Sequence, residues 1–495
     1  MGEQQPLQQD HLGIGQNCDQ EKITRKVIVI GAGISGLTAA HALITSAQRE
    51  GKPLQVTIIE STDRAGGVIK TTTCGLSKLE CGPEAFLTSK PDVLNLCKEL
   101  GILDRVISTA STDRQTFVAF DKELHPLPDG FMMFAPTKIG PLIKSRLFSA
   151  SGKMRMALDL VLPRSECQDD ESLAAFVIRR LGHEALERIA EPLICGIYGS
   201  NPNQLSARST AAALVKMEET DGSLIRGLWR QMRMSQHGQP PSTKTTQAGL
   251  RYSQMASLDD GMSVLIDSLL SKLPPGALVT NKSVERIRHG INGRRWDIVL
   301  TDGSVLTADG LILAVPAKHA AKLLREVSGT LADKLNSITY TSATIVNLLY
   351  KRNQIEHAMN GFGFVVPMVQ RRIVRACTFS SIKFANRAAE DEVLVRVSTE
   401  QSQAANSEIE QMISDELGTY LNVRADPLFS LISRHATAIP QYAVGHNDLV
   451  NEIEWAVAKI PGLALSGNAY GGVGIPDCIK RGKEAAQTLM STVCA

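Results

Sequence analysis

The sequence predicts an α/β protein, and three observations carry that expectation. A short apolar run, Lys26-Val27-Ile28-Val29-Ile30, leads into Gly31-Ala32-Gly33-Ile34-Ser35-Gly36 and then a helical pattern. A second strand–glycine–helix unit closes the chain between Leu463 and Asp477. Between these two units, a helical stretch gives way to a series of strand-like runs. Strand, tight turn and helix in that order describe a parallel, Rossmann-like sheet. The later short strands call for a second, mixed sheet.

The chain has 495 residues, more than one hydrophobic core usually supports, so two or three units are expected. Apolar residues at 43% and charged residues at 21% fit a soluble globular protein and leave no room for wholesale disorder. A net charge of +2, without Lys/Arg clusters interleaved with aromatics, excludes nucleic acid as the expected partner. The nine cysteines form no C-x-x-C pair, so neither zinc nor a disulfide framework is expected, and a reducing cytoplasm is. Residues 1–24 are polar and Gln-rich and read as a disordered extension. No apolar run reaches membrane-spanning length.

Along the chain, Ser172 to Leu193 reads as one helix, with Leu173, Phe176, Val177 and Leu181 on one face. Ser235 to Ser242, with two consecutive prolines, reads as a mobile loop between blocks. Val279–Arg288, Trp296–Leu300 and Leu311–Val315 read as strands, with Asn292-Gly293 as a hairpin turn. Ile345–Tyr350, Phe364–Pro367, Ile373–Phe379 and Val393–Ser398 suggest the second sheet.

The glycines then acquire chemistry. Gly31 permits the tight turn, Gly33 lets backbone approach a pyrophosphate, and Gly36 allows close packing of a helix whose N-terminus faces the anion. A second strand, Gln55 to Ile59, ends in Glu60, where a carboxylate would meet a ribose diol. The sequel Ser61-Thr62-Asp63-Arg64-Ala65-Gly66-Gly67 brings an arginine and two glycines toward a second phosphate surface, which favours FAD over NAD. Gly467-Asn468 and Gly471 to Asp477 would aim a second helix N-terminus at the same cofactor.

Together with Glu80 to Phe86, Glu191 to Gly199, Asp260-Gly261-Met262, Gly361-Phe362-Gly363, Pro440-Gln441-Tyr442 and Gly445-His446, these segments resemble the FAD-dependent amine oxidase and protoporphyrinogen oxidase superfamily. Within it, they resemble the oxygen-dependent porphyrinogen oxidases of haem synthesis. The paired glycine segments, with no cysteine near Gly467 to link a flavin, predict non-covalent FAD held by Gly31 to Gly36 and Glu60 to Gly67, and the resemblance implies Gly82-Pro83 beside the isoalloxazine and the Val284 backbone on the adenine side. It places Asn468, Gly474, Ile475 and Asp477 on the C-terminal flavin segment. It further implies Arg114 as the cation for a propionate, Gly196 facing the reacting methylene bridge, Ala343 and Val365 sandwiching the macrocycle, and Phe379 stacking on it. Read alone, Phe379 is a core aromatic and Arg114 a solvated charge. Ala343 and Val365 are smaller than the leucines common at those positions.

The expected architecture is an FAD-binding domain (25–90, 248–330 and 440–495), a mixed-sheet substrate domain (91–112 and 331–439) and a helical domain (113–247). The implied reaction is a six-electron oxidation of a porphyrinogen by dioxygen, releasing hydrogen peroxide. Only one cation is nominated at the cavity, so protoporphyrinogen IX, with two propionates, ranks ahead of coproporphyrinogen III, with four. Phe131 to Arg164 carries six basic residues against Asp159, interspersed with apolar side chains, and suggests contact with an anionic membrane surface on the cytoplasmic side. A homodimer is a further expectation. Two competitors stand beside this reading. One is a flavin amine oxidase, with Tyr470 as half of an aromatic cage. The other is a flavin-free escort protein.

Overall fold

The computed structural model describes residues 24–112, 115–166, 169–237, 255–290, 296–400 and 404–493. Its centre is a five-stranded, all-parallel sheet in the order Leu278–Val279, Leu54–Ile59, Arg25–Ile30, Gly310–Leu313, Leu463–Leu465. Val27, Ile28, Val29 and Ile30 are all buried because both faces of the sheet are covered. On one face lie the first helix, Ile34–Glu50, and the last, Ile475–Val493. On the other lie a three-stranded antiparallel sheet and the helices Ala317–Leu324, Gly329–Asn336 and His446–Ala458.

The second sheet has seven strands in the order Phe429–Pro440, Tyr340–Lys351, Glu392–Thr399, Val374–Phe379, Gly363–Val365, Thr116–Phe120, Glu123–Pro126. Helix Asn406–Leu421 covers one face, and a cluster of short helices between 139 and 237 meets the other through Val118 and Val365.

Several expectations shift. The helix expected over 172–193 breaks at Gly182, whose φ of +94° only glycine adopts readily, into Leu173–Leu181 and a continuation from His183. The strand expected over 279–288 is two: Leu278–Val279 joins the parallel sheet, and Val284–His289 starts the antiparallel one. Helix Leu224–His237 runs into the expected loop, whose remainder lies outside the described residues, as do the Asn292-Gly293 turn and residues 1–23. Thr116 to Pro126, expected with the helical unit, adds two strands to the larger sheet, while Val93 and Leu96, expected with the substrate unit, pack into the parallel-sheet core. The Phe131–Arg164 segment is not a lipid-facing amphipath throughout: Phe134, Leu142, Leu147, Phe148 and Met156 fill the helical core. Among the described residues no helix is long and apolar enough to cross a membrane.

Candidate functional site

The glycine turn folds as its residue types require. Gly31 has φ +101°, and a Cβ on Gly36 would lie 1.9 Å from the Gly31 carbonyl oxygen, so the helix can start this close to the strand only without a side chain there. Gly33 differs. Its backbone is extended (φ −70°, ψ 176°), and a Cβ there would meet no atom within 4 Å. Its glycine therefore keeps space open rather than relieving strain. That space belongs to a cavity of about 590 Å³ at the carboxyl edge of the parallel sheet.

Gly31, Gly33, Ile34, Ser35, Glu60 and Ser61 line the cavity from the N-terminal half, and Gly66 and Gly67 lie against the turn through a Gly66 N–H bond to the Ala32 carbonyl of 2.8 Å. Glu60 is buried. Its carboxylate accepts from the Ala32 N–H at 2.9 Å, the Thr62 N–H at 2.9 Å and the Thr62 hydroxyl at 2.8 Å, which ties the second strand's end to the turn. Val284 lines the far side, next to a bulge in its strand. Arg64 departs from expectation: its guanidinium donates to the carbonyls of Ala65, Gly67 and Ile69, so it braces its own loop and does not line the cavity.

From the C-terminal half, Gly467 (φ +136°) and Asn468 complete the wall, and the Asn468 side chain donates to the Ala438 carbonyl at 3.0 Å. Gly474, Ile475 and Asp477 form the start of the last helix but do not line this cavity. Asp477 pairs with Lys90 at 2.6 Å. The open space at Gly33, the helix N-terminus and a carboxylate at the second strand's end fit the dinucleotide part of a flavin cofactor.

The Gly82-Pro83 loop is anchored at both ends by buried carboxylates. Glu84 meets Lys383 at 2.7 Å and Ser380 at 2.8 Å. Glu80 accepts from the Met262 N–H at 2.8 Å and faces Arg387 at 3.5 Å. Arg396 donates to the Gly82 carbonyl at 2.7 Å, and the His435 ring meets the Cys81 carbonyl at 2.7 Å. Burial pushes the Glu80 carboxyl up to about 7, against Arg387 and its hydrogen bonds. Burial alone would also raise Glu84, but Lys383 and Arg396 outweigh it and hold that carboxyl down at about 2. The signs therefore oppose. The Glu84 contribution to stability is present above its ordinary value of 4.5 and lost as pH falls toward 2, whereas the Glu80 contribution is intact below 4.5 and lost as pH rises through about 7. Glu80→Gln is accordingly expected to flatten the decline of stability from about pH 5 to about pH 8, read as urea midpoints across that range. An equally steep decline in the variant would reject it.

The residues expected around the macrocycle are only partly brought together. Gly196 is exposed in the last turn of helix Glu191–Tyr198, where a Cβ would lie 4.0 Å from the Ala376 Cβ. Ala376 pairs with Val365 on the neighbouring strand. Ala343 sits next to a bulge, opposite His435. Phe379 is elsewhere. Fully buried, it packs with Phe364 (ring centroids 6.3 Å apart) and His357 (6.0 Å) under helix Asn406–Leu421, on the face of the sheet turned away from Val365. Side chains alternate across a strand, so Val365 and Phe379 cannot clamp one ring. Arg114 lies outside the described residues. Its neighbour Gln115 lines a second cavity of about 890 Å³, with Phe117, Phe131, Phe362 and Lys383. Tyr470 is buried in the core beside the parallel sheet and lines neither cavity, which removes the expected half of an amine cage.

Sequence reasoning missed Lys383, Arg387, Arg396 and His435. No local signal marks them, since each reaches its partner across more than a hundred residues. Among the described residues no group of His, Cys, Asp and Glu is placed to hold a metal.

Comparison with known proteins agrees with this geometry. Coproporphyrinogen III oxidase of Bacillus subtilis is 31% identical over 474 residues, covering 94% of this chain and 98% of that protein. Human protoporphyrinogen oxidase is 29% identical, covering 94% and 99%. The solved structure of a protoporphyrinogen oxidase candidate from Exiguobacterium sp. 255-15 superposes with a TM-score of 0.80 at 26% identity, covering 94% and 98%. The pattern of the flavin containing amine oxidoreductases matches residues 34–490. The chain belongs to the flavin containing amine oxidoreductase family, in the branch that holds the porphyrinogen oxidases.

Proposed function

We propose that the protein is an FAD-dependent, oxygen-using porphyrinogen oxidase of haem synthesis. The observation that carries this reading is the single cavity to which Gly33 and Glu60 from one end of the chain and Gly467 and Asn468 from the other contribute. Full-length relatives named as porphyrinogen oxidases supply the substrate class. A bound flavin would supply two-electron oxidation and return the electrons to dioxygen. The chain's own part is to hold and exclude. Glu60 and the glycine turn would bind the dinucleotide, and Gly467 and Asn468 would fix the other end. Gly196, lacking a side chain, would leave room for a methylene bridge over the Val365–Ala376 surface. Three rounds convert one porphyrinogen and three dioxygen into porphyrin and three hydrogen peroxide.

Between the two substrates, coproporphyrinogen III now ranks first. The opposite ranking rested on Arg114 as the one nominated cation, which lies outside the described residues, and on an apolar clamp including Phe379 and a lipid-facing segment, both of which lose residues to the core. Exposed Met133, Ile139, Ile143, Met154, Leu158 and Val161 remain for surface contact with lipid. The deciding measurement is kcat/KM for both porphyrinogens, followed as porphyrin fluorescence under air with peroxide quantified. Turnover of neither, or a colourless purified protein, would overturn the reading.

Non-covalent attachment is tested by acid precipitation, which should leave the yellow chromophore in the supernatant. Glu60→Ala removes an acceptor and also orphans the Ala32 N–H. Flavin affinity is expected to fall by roughly ten- to a hundredfold, measured by fluorescence titration of the apoprotein. An unchanged dissociation constant would sink that role.

A further inference from the structure

The segment Pro440-Gln441-Tyr442 with Gly445-His446 has no part in the reading above, although its side chains are nearly inaccessible: Gln441 is 7% exposed, Tyr442 3% and His446 5%. The Tyr442 hydroxyl donates to the Asn468 carbonyl and accepts from the Gly472 N–H at 2.9 Å, so one atom closes the five-residue segment that follows Gly467. The His446 ring stacks on the Tyr442 ring (centroids 4.2 Å apart, 13° between planes), and its Nε2 meets the Ala469 carbonyl at 3.0 Å. A carbonyl only accepts, so Nε2 carries the hydrogen. Burial lowers this histidine to about 4, which keeps it neutral with that hydrogen fixed. The backbone of the same corner is tied to the helical unit: Ser206 N–H donates to the Tyr442 carbonyl at 2.7 Å, and Gly445 N–H to Asp170 at 2.9 Å. Gln441 ties it to the larger sheet through Thr341 at 2.9 Å.

We propose that Tyr442, backed by His446, is a positioning residue for flavin chemistry. It holds the Asn468–Gly472 segment against the cofactor and fixes that segment relative to the helical unit bearing Gly196. This rests on the flavin reading of the cavity. Tyr442 lines no part of the cavity, so its effect passes through the backbone it clamps. A backbone free to shift by about 1 Å beside the reacting atoms costs rate more than binding, on the order of ten- to a hundredfold.

The test uses the full-length holoprotein with coproporphyrinogen III and protoporphyrinogen IX. Tyr442→Phe keeps the ring and the stacking but removes both hydrogen bonds. It is expected to retain flavin, alter the shape and position of its visible bands, and lower kcat roughly ten- to a hundredfold with KM within about twofold. His446→Gln, which keeps a donor, should lie closer to the parent than His446→Ala. If Tyr442→Phe does not fold, the two His446 variants carry the same criteria. Parental bands, kcat and KM in folded Tyr442→Phe, with only a lowered Tm, would reduce the clamp to a structural role and overturn the proposal; so would His446→Gln and His446→Ala that behave alike. A parent without flavin would instead overturn the functional reading, and the clamp with it.

Discussion

Gly33→Val is expected to give a folded but colourless protein. Most glycine substitutions in a dinucleotide turn confound binding with folding, and the structure separates the two here. Gly33 already has backbone angles that valine adopts, and its missing Cβ points at no protein atom within 4 Å, so the apoprotein has no reason to lose stability. The added side chain instead fills the cavity beside the helix N-terminus, where a pyrophosphate would have to approach the backbone. Flavin affinity should fall by more than about a hundredfold, with the apoprotein Tm within about 2 °C of the parental apoprotein. Gly36→Val is the control. Its Cβ would fall on the Gly31 carbonyl oxygen at 1.9 Å, and loss of the fold itself is expected. Visible absorbance after flavin reconstitution, beside a thermal melt, checks both. Tight flavin binding by Gly33→Val would mean that the glycine turn is not the pyrophosphate site.

Asp159→Ala is expected to destabilise the protein by about 3 to 5 kcal/mol, the range found when one partner of a buried ion pair is removed. Asp159 and Arg180 are both 0% exposed. The carboxylate receives the Arg180 Nε at 2.7 Å, the Ser223 hydroxyl at 2.6 Å and the Ile225 N–H at 3.0 Å, so it joins three parts of the helical unit. Without it the guanidinium keeps only Glu218 at 3.5 Å, a carboxylate already shared with Arg179, and two further donors lose their acceptor. Urea unfolding is the measurement, and a loss under about 1 kcal/mol would show that water reaches the site. The double variant Asp159→Leu with Arg180→Met should recover only part of the loss, because it removes both charges but leaves the Ser223 hydroxyl, the Ile225 N–H and the Pro163 and Gly222 carbonyls without these partners.

The only acid in a basic stretch thus proves to be a structural centre. In the sequence Asp159 was one charge among seven, and nothing local distinguishes it from a solvated carboxylate.

What the sequence determined by itself are features written in consecutive residues. Val27 to Ile30, Gly31 to Gly36 and the acid at Glu60 specify strand, turn, helix and strand end by steric rules acting over a few bonds. The parallel sheet and the cavity at its edge duly follow. The largely buried stretches Ile345–Tyr350 and Val393–Ser398 of the strands Tyr340–Lys351 and Glu392–Thr399 were legible for the same reason, since a run of inward-facing residues leaves a mark that needs no partner, whereas the half-exposed start of the first strand left none. Tertiary structure alone decided which face of a strand looks at what. Ala376 and Phe379, three positions apart on one strand, face opposite sides, so Ala376 lies beside Gly196 while Phe379 enters the opposite core, and a bulge between Val374 and Ala376 turns Val374 into the same core as Phe379. It also decided charge. Arg64 turned onto its own loop, where three carbonyls accept its hydrogen bonds, and Lys383, Arg387 and Arg396 became anchors of the Gly82-Pro83 loop only once the second sheet was laid against it. Turn geometry is a property of neighbours in the chain, whereas the partner of a buried charge is whatever the fold brings within about 3 Å of it.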